Sequence, residues 1–187
     1  ASAMESGIGE PLCAALIAAG ARVLAVGRNE GRLRRLAQHL PAGGLSWVAA
    51  DVATDEGRAQ VVRAAAAANP TPSVLVLAHA QGAFGLFADQ SPEDMARLVQ
   101  TNLVAPMLLV HALLPVLGTH APASVVVVGS TFGSLAFPGF AAYSASKSGL
   151  RGLTEALARE YADTPLRSQY LSPRATRTPF NTPAVDA

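Results

Sequence analysis

Tyr143 and Lys147 stand four residues apart in Tyr143-Ser-Ala-Ser-Lys147, just after a valine-rich run that ends in Ser130. On a helix, positions i and i+4 share a face. An ammonium held beside a phenol favours the phenolate, which lowers a pKa that begins near ~10 and brings the phenol toward acid/base work near neutrality. Ser130 closes Ser124-Val-Val-Val-Val-Gly-Ser130, thirteen residues before the tyrosine. Where a strand end and the next helix start meet at the carboxyl edge of a parallel sheet, the hydroxyl, the phenol and the ammonium can converge on one carbonyl. That constellation is a proton-transfer site. Alone, Tyr-x-x-x-Lys is equally a solvated surface pair worth a few tenths of a kcal/mol. The valine run, the Gly-Ser-Thr turn, Phe137-Pro-Gly-Phe140 and the small-residue helix that follows supply the context.

The elements that must position these groups are legible from the alternation of apolar runs with helical patterns. Helices are predicted over about 10–19, 30–39, 55–68 and 92–117 and, carrying Tyr143, to about 162; strands are predicted over 22–27, 45–50, 73–78, the valine run ending in Ser130, and 166–171. Strands that read as unbroken apolar runs are buried on both faces, and with helices between them they imply a parallel, doubly wound sheet. The chain has 187 residues, 50% of them hydrophobic and 14% charged, enough to bury one sizeable core, so a single domain over 1–187 is expected. A net charge of +1, with no Lys/Arg block, gives no electrostatic reason for nucleic acid or an anionic membrane as partner. The apolar stretch from Leu103 to Leu117 carries two prolines and His111 and reads as a buried helix rather than a membrane span. Cys13 is the one cysteine, so no intrachain disulfide forms, which fits a reducing cytoplasm; it reads as a small buried helix residue. No His, Asp or Cys stands at ligand spacing around His79, and no metal site is expected.

With these motifs the chain resembles the short-chain dehydrogenase/reductase family, single-domain branch, over nearly its whole length. The resemblance implies a Rossmann-like α/β/α fold and an oxidoreductase that moves a hydride between a nicotinamide and a small-molecule carbonyl or secondary alcohol. By that resemblance Tyr143 is the general acid/base, Lys147 lowers its pKa and holds the nicotinamide ribose, and Ser130 hydrogen-bonds the substrate oxygen. Asn102 matches the helix asparagine that holds a water in a proton relay from the lysine. Cofactor contacts fall on Gly7, Ile8 and Gly9 opening the first helix, on Asp51 and Val52, on Ala78 and Ala80, and on Pro173, Thr176 and Thr178. Asp51 reads equally well as a local N-cap-like aspartate. The family commonly forms dimers or tetramers through the long helix after Pro92 and the Tyr143 helix, so a homodimer or homotetramer is expected.

Arg28 follows the strand that ends at Gly27, where an acidic residue would accept from the 2′-hydroxyl of NAD; a guanidinium suits the 2′-phosphate, so NADP(H) is favoured. Three departures stand out. Ser2 and Ala3 occupy the start of the glycine-rich loop, Leu77-Ala-His-Ala80 replaces Asn-Asn-Ala-Gly, and Arg174 replaces a glycine. They leave a second reading open, a cofactor-binding or scaffold protein of the same fold with little turnover. A nucleotide-sugar epimerase of the extended branch also uses Tyr-x-x-x-Lys, but Arg28 and the short chain argue against it. A dinucleotide-binding loop needs a strand before it, and only six residues precede Gly7. In the order 3-2-1-4-5-6 that strand is central, so the natural protein is expected to carry a further N-terminal strand and to extend past Ala187. Phe84, Phe87, Phe132, Phe137 and Phe180 are candidates for an apolar substrate pocket or for core.

Overall fold

The computed structural model describes residues 7–118 and 122–174. Six α-helices and five strands follow one another in these segments: α1 (Gly9–Ala18), β1 (Val23–Gly27), α2 (Glu30–His39), β2 (Leu45–Ala49), α3 (Asp55–Ala67), β3 (Val74–Leu77), α4 (Pro92–Val99), α5 (Ala105–Leu117), β4 (Ala123–Val128), α6 (Ala141–Glu160) and β5 (Leu166–Leu171). The starts are set by local chemistry. Asn29, Thr54 and Ser91 each accept a backbone N–H from the first turn of α2, α3 and α4, and Pro92 fills a position whose N–H needs no partner.

All pairings are parallel. β1 pairs with β2, and β4 lies between β3 and β5 with Leu77 opposite Val127 and Val128 opposite Leu171. The two groups form separate ladders, and among the described residues no strand lies between β1 and β3. They are nonetheless joined by packing. Val26 of β1, Leu77 of β3 and Val125 and Val127 of β4 share one core with Val61 of α3, Leu109 and Leu113 of α5 and Leu150 of α6. On the other face of β1, Val23 and Ala25 pack with Cys13 and Ile17 of α1 and Leu33 of α2. A fully buried Leu or Val contributes roughly 1.5–3 kcal/mol, so the α5 face alone is a major share of the core.

Burial departs from the expected pattern in one region. β5 alternates, with Leu166, Ser168 and Tyr170 partly covered and Arg167, Gln169 and Leu171 exposed, and Val74 of β3 is 52% exposed despite its apolar run. The described helices α5 and α6 cover one face of this half, and no described helix covers the length of the other.

The helix expected over 92–117 is not uniform. Residues Gln100–Val104 form a π turn, in which the Ala105 N–H bonds to Gln100 O. Pro106 supplies the cause: it has no N–H, and its ring would crowd the carbonyl of residue 102 in a straight α-helix, so the backbone widens just before it. The whole segment is apolar and long enough to cross a membrane by length and composition. Here it lies on the sheet, with Leu98, Leu109, Leu113 and Leu117 buried, while Met107 and Leu108 are exposed.

α3 approaches the end of β2 so closely that a Cβ on Gly57 would sit 1.9 Å from Asp51 O. Gly57→Ala must therefore displace the first turn of α3, and it is expected to destabilise the protein by about 1–3 kcal/mol. Thermal unfolding checks this, and an unchanged midpoint would contradict the packing.

Candidate active site

The carboxyl ends of β3, β4 and β5 lie at one edge because the strands are parallel and in register. At that edge β4 ends in Val128, and Ser130 starts the short 3₁₀ turn Thr131–Gly133, its hydroxyl accepting from Phe132 N at 3.2 Å. The chain then turns through Gly139, at φ +80°, into α6. Tyr143 lies in the first turn of α6 and is 7% exposed; Lys147 lies one turn further on and is 1% exposed. Lys147 Nζ reaches back to β4 and donates to Val128 O at 3.2 Å, and it stands 5.7 Å from the centre of the Tyr143 ring. The Ser130 hydroxyl hydrogen-bonds the Tyr143 phenol. The three groups that the sequence spaces thirteen and four residues apart therefore meet.

Asn102, fully buried, sits in the π turn. Its amide oxygen accepts from Gln81 N at 2.7 Å, and its amide nitrogen donates to Gln81 O at 2.8 Å and to Ser146 Oγ at 3.3 Å. Ser146 in turn donates to Tyr143 O at 2.7 Å. Asn102 thus clasps the loop after β3 and steadies the backbone of the tyrosine. The close approach of α6 to this turn needs Gly149, because a Cβ there would lie 2.7 Å from a Leu103 methyl.

Electrostatics modify the expectation drawn from Tyr-x-x-x-Lys. Burial, the largest effect, raises the phenol of Tyr143 above its ordinary value; the Ser130 hydrogen bond acts in the opposite direction, and Tyr170 adds to the rise. Burial also lowers Lys147 to about 8. Desolvation disfavours both charged forms, and for the Tyr143 phenol it outweighs the attraction that the spacing alone implies.

Sequence reasoning missed Tyr170 in β5. Its phenol oxygen accepts from Ser130 N at 3.1 Å and lies 3.2 Å from Ser130 O and 3.4 Å from Lys147 O. Gly129 and Gly133 make room: added Cβ atoms would fall 1.9 Å and 2.3 Å from the tyrosine. Two glycines flanking the serine were the available signal for a bulky neighbour.

The expected nucleotide residues gather near the same edge. Gly7, at φ +76°, leads into α1, whose N-terminus carries no side-chain cap and whose Gly9 is buried. A helix start presents backbone N–H groups that favour anions, and among the described residues no side chain caps this one. Ile8 packs against Val76, Ala78 and Val128, which ties that helix start to the ends of β3 and β4. Arg28 is exposed just beyond β1, Val52 is buried, and Ala80 is partly exposed after β3. Asp51 serves its own loop, accepting from Ala53 N at 2.9 Å, and Arg58 braces that loop by donating to Val52 O at 2.8 Å and pairing with Asp55. Pro173 is partly buried and Arg174 exposed, while Thr176, Thr178 and Phe180 lie outside the described residues.

The model of the short chain dehydrogenases matches residues 3–187. The chain belongs to the short-chain dehydrogenase/reductase family. Among curated relatives it is 28% identical to oxidoreductase claN of Passalora fulva, over 94% of this chain and 80% of that protein. It is 29% identical to mouse dehydrogenase/reductase SDR family member 4, over 96% of this chain but only 66% of that one. A short-chain dehydrogenase from Streptomyces avermitilis superimposes with a TM-score of 0.88 at 30% identity, over 95% of this chain and 66% of that one. An NADPH-bound short-chain oxidoreductase from Pseudomonas aeruginosa with an atypical catalytic centre gives 0.78 at 29%, over 92% and 69%. A 3-ketoacyl-(acyl-carrier-protein) reductase from Brucella melitensis complexed with NADH gives 0.88 at 26%, over 96% and 76%.

The depressed lysine sets a stability prediction. Below about 8 the folded protein holds a buried ammonium that the unfolded chain would hydrate, and between about 8 and 10.5 the folded state has released a proton the unfolded state keeps. This contribution to stability therefore rises with pH across that window. A drop of this size corresponds to about 3 kcal/mol of preference for the neutral amine. Lys147→Met, which fills the same space without charge, is expected to raise the unfolding midpoint at pH 7. A lower midpoint would show that Lys147 is net stabilising.

Proposed function

We propose that this chain is an NADP(H)-dependent oxidoreductase acting on a carbonyl or secondary alcohol. The observation that carries the reading is the hydrogen bond from Ser130 to the buried Tyr143, with the Lys147 ammonium beside the phenol ring. When bound, NADPH supplies the hydride. Tyr143 donates its phenolic proton to the oxygen that becomes negative, and the Ser130 hydroxyl donates a hydrogen bond to that same oxygen. A phenol raised by burial stays protonated at neutral pH and suits the role of acid. Lys147 stabilises the phenolate left behind, and Asn102 keeps the Tyr143 backbone in register through Ser146.

Gly7, Ile8 and Gly9 at the start of α1 would hold the pyrophosphate, and Arg28 the 2′-phosphate, which favours NADP(H). Family structures carry either cofactor: one from Shigella flexneri is complexed with NADP and the Brucella reductase with NADH. Phe132 and Phe140 lie edge-on to Tyr143, at 6.4 and 6.2 Å between ring centres, Phe137 stacks on Phe132 at 5.6 Å, and Phe84 lies against Phe140 at 5.1 Å. This aromatic layer favours a substrate with an apolar group next to its carbonyl. The exposed faces of α5 at Met107 and Leu108 and of α6 at Ala145 and Gly152 are the surfaces for a homodimer or homotetramer.

NADPH oxidation across a carbonyl panel tests the reading. Tyr143→Phe is expected to lower kcat at least about a hundredfold, the range of general-acid catalysis; equal activity would remove the mechanism and, if NADPH still binds, leave the scaffold reading. Wild-type kcat/KM for reduction is expected to stay level below about 8 and to fall above it as Lys147 loses its charge. A profile level to pH 10 would contradict this assignment. NADPH is expected to bind about tenfold more tightly than NADH by calorimetry, and Arg28→Ala to erase the difference. Equal affinities in the wild type would overturn the preference.

A further inference from the structure

β4 and β5 run in register to Val128 and Leu171, and the Gly129 N–H makes the last ladder bond, to Leu171 O at 2.8 Å. The next backbone group, Ser130 N–H, lies past the last paired residue of β4. Tyr170 takes it, its phenol oxygen standing 3.1 Å from Ser130 N. The same oxygen has one proton to give and two carbonyls in reach, Ser130 O at 3.2 Å and Lys147 O at 3.4 Å. One hydroxyl therefore bridges Ser130, two residues past the strand, and the second turn of α6.

The surroundings are shaped for this ring. It lies over Gly129, where any Cβ would overlap its Cζ at 1.9 Å, and beneath Gly133, whose own Cβ position is 2.3 Å from the phenol oxygen and 2.8 Å from Lys147 O. The paired glycines and the tyrosine fit as one unit. A ring alone would fill the space, but the hydroxyl adds a fixed reference between the segments that carry Ser130 and Lys147.

We propose that Tyr170 is a positioning residue for the Ser130–Tyr143–Lys147 site, its hydroxyl holding the Ser130 backbone by a side-chain hydrogen bond beyond the end of the β4–β5 ladder so that the Ser130 hydroxyl stays in line with the Tyr143 phenol. The catalytic half of this proposal rests on the reductase reading above; the tether itself does not. Tyr170 acts through Ser130 and need not touch substrate.

Tyr170→Phe keeps the ring and removes one oxygen. Amide hydrogen exchange at Ser130 is expected to quicken about five- to tenfold, as loss of one neutral hydrogen bond predicts. In the reductase assay, kcat is expected to fall about tenfold while KM for NADPH stays within about twofold, since the cofactor contacts are untouched. On a Ser130→Ala background the same change should lower kcat by less than about twofold, because residues acting through one group are not additive. Gly129→Ala, which pushes the ring away, should give the same split between kcat and KM. Unaltered exchange at Ser130 overturns the tether. Unchanged kcat in Tyr170→Phe, or a full multiplicative loss on the Ser130→Ala background, overturns the positioning role. A wild-type protein without any NADPH-dependent turnover overturns the reductase reading and the catalytic half with it, while the exchange measurement still decides the tether.

Discussion

The site is organised by a buried ammonium. Lys147 is 1% exposed on α6, and its Nζ is held against the carbonyl of Val128 at the end of β4. A charge taken out of water is tolerated only where the surroundings hold it closely, so helix and strand must meet at a fixed distance. That distance brings Tyr143, one turn earlier on the helix, to Ser130, two residues past the strand. It also explains why the backbone nearby is so small. Gly133 lies under the Lys147 carbonyl and Gly149 under Leu103, each where a Cβ would intrude. The cost of burying the lysine is visible in its lowered pKa.

A second constraint comes from Pro106. By interrupting helical hydrogen bonding it widens the segment between α4 and α5, and the fully buried Asn102 sits in that widened turn. From there one side chain grips both backbone groups of Gln81 and reaches α6 through Ser146. The loop after β3, the helix pair α4–α5 and the tyrosine are thus one hydrogen-bonded unit. This compensates in part for the asparagine side chains that Leu77-Ala-His-Ala80 lacks, because the backbone of Gln81, next in the loop, is engaged instead.

The side expected to hold the nucleotide is built differently. Its fixed points are backbone features: a left-handed Gly7, an uncapped helix start and the packing of Ile8 onto the strand ends. Asp51, which the sequence leaves between cofactor contact and local cap, is occupied within its own turn. Among the described residues, β1–β2 and β3–β4–β5 form separate ladders, and shared side chains of α3, α5 and α6 join them.

Periodicity in the sequence determined the order of helices and strands, since apolar runs and capping residues act locally; α2 and β5 coincide with the expected 30–39 and 166–171. The spacing of Ser130, Tyr143 and Lys147 determined which chemistry is available, because helix geometry fixes what lies four residues on. Three matters were decided only in three dimensions. The direction of the Tyr143 shift follows from burial, which spacing does not encode. The π turn arises where a proline meets a helix that packing on the sheet keeps from breaking. Tyr170 reaches Ser130 from forty residues away in sequence, and that contact exists because β5 lies beside β4 and two glycines leave room for a ring. Local patterns report what each segment prefers; desolvation and close approach depend on which segments end up side by side.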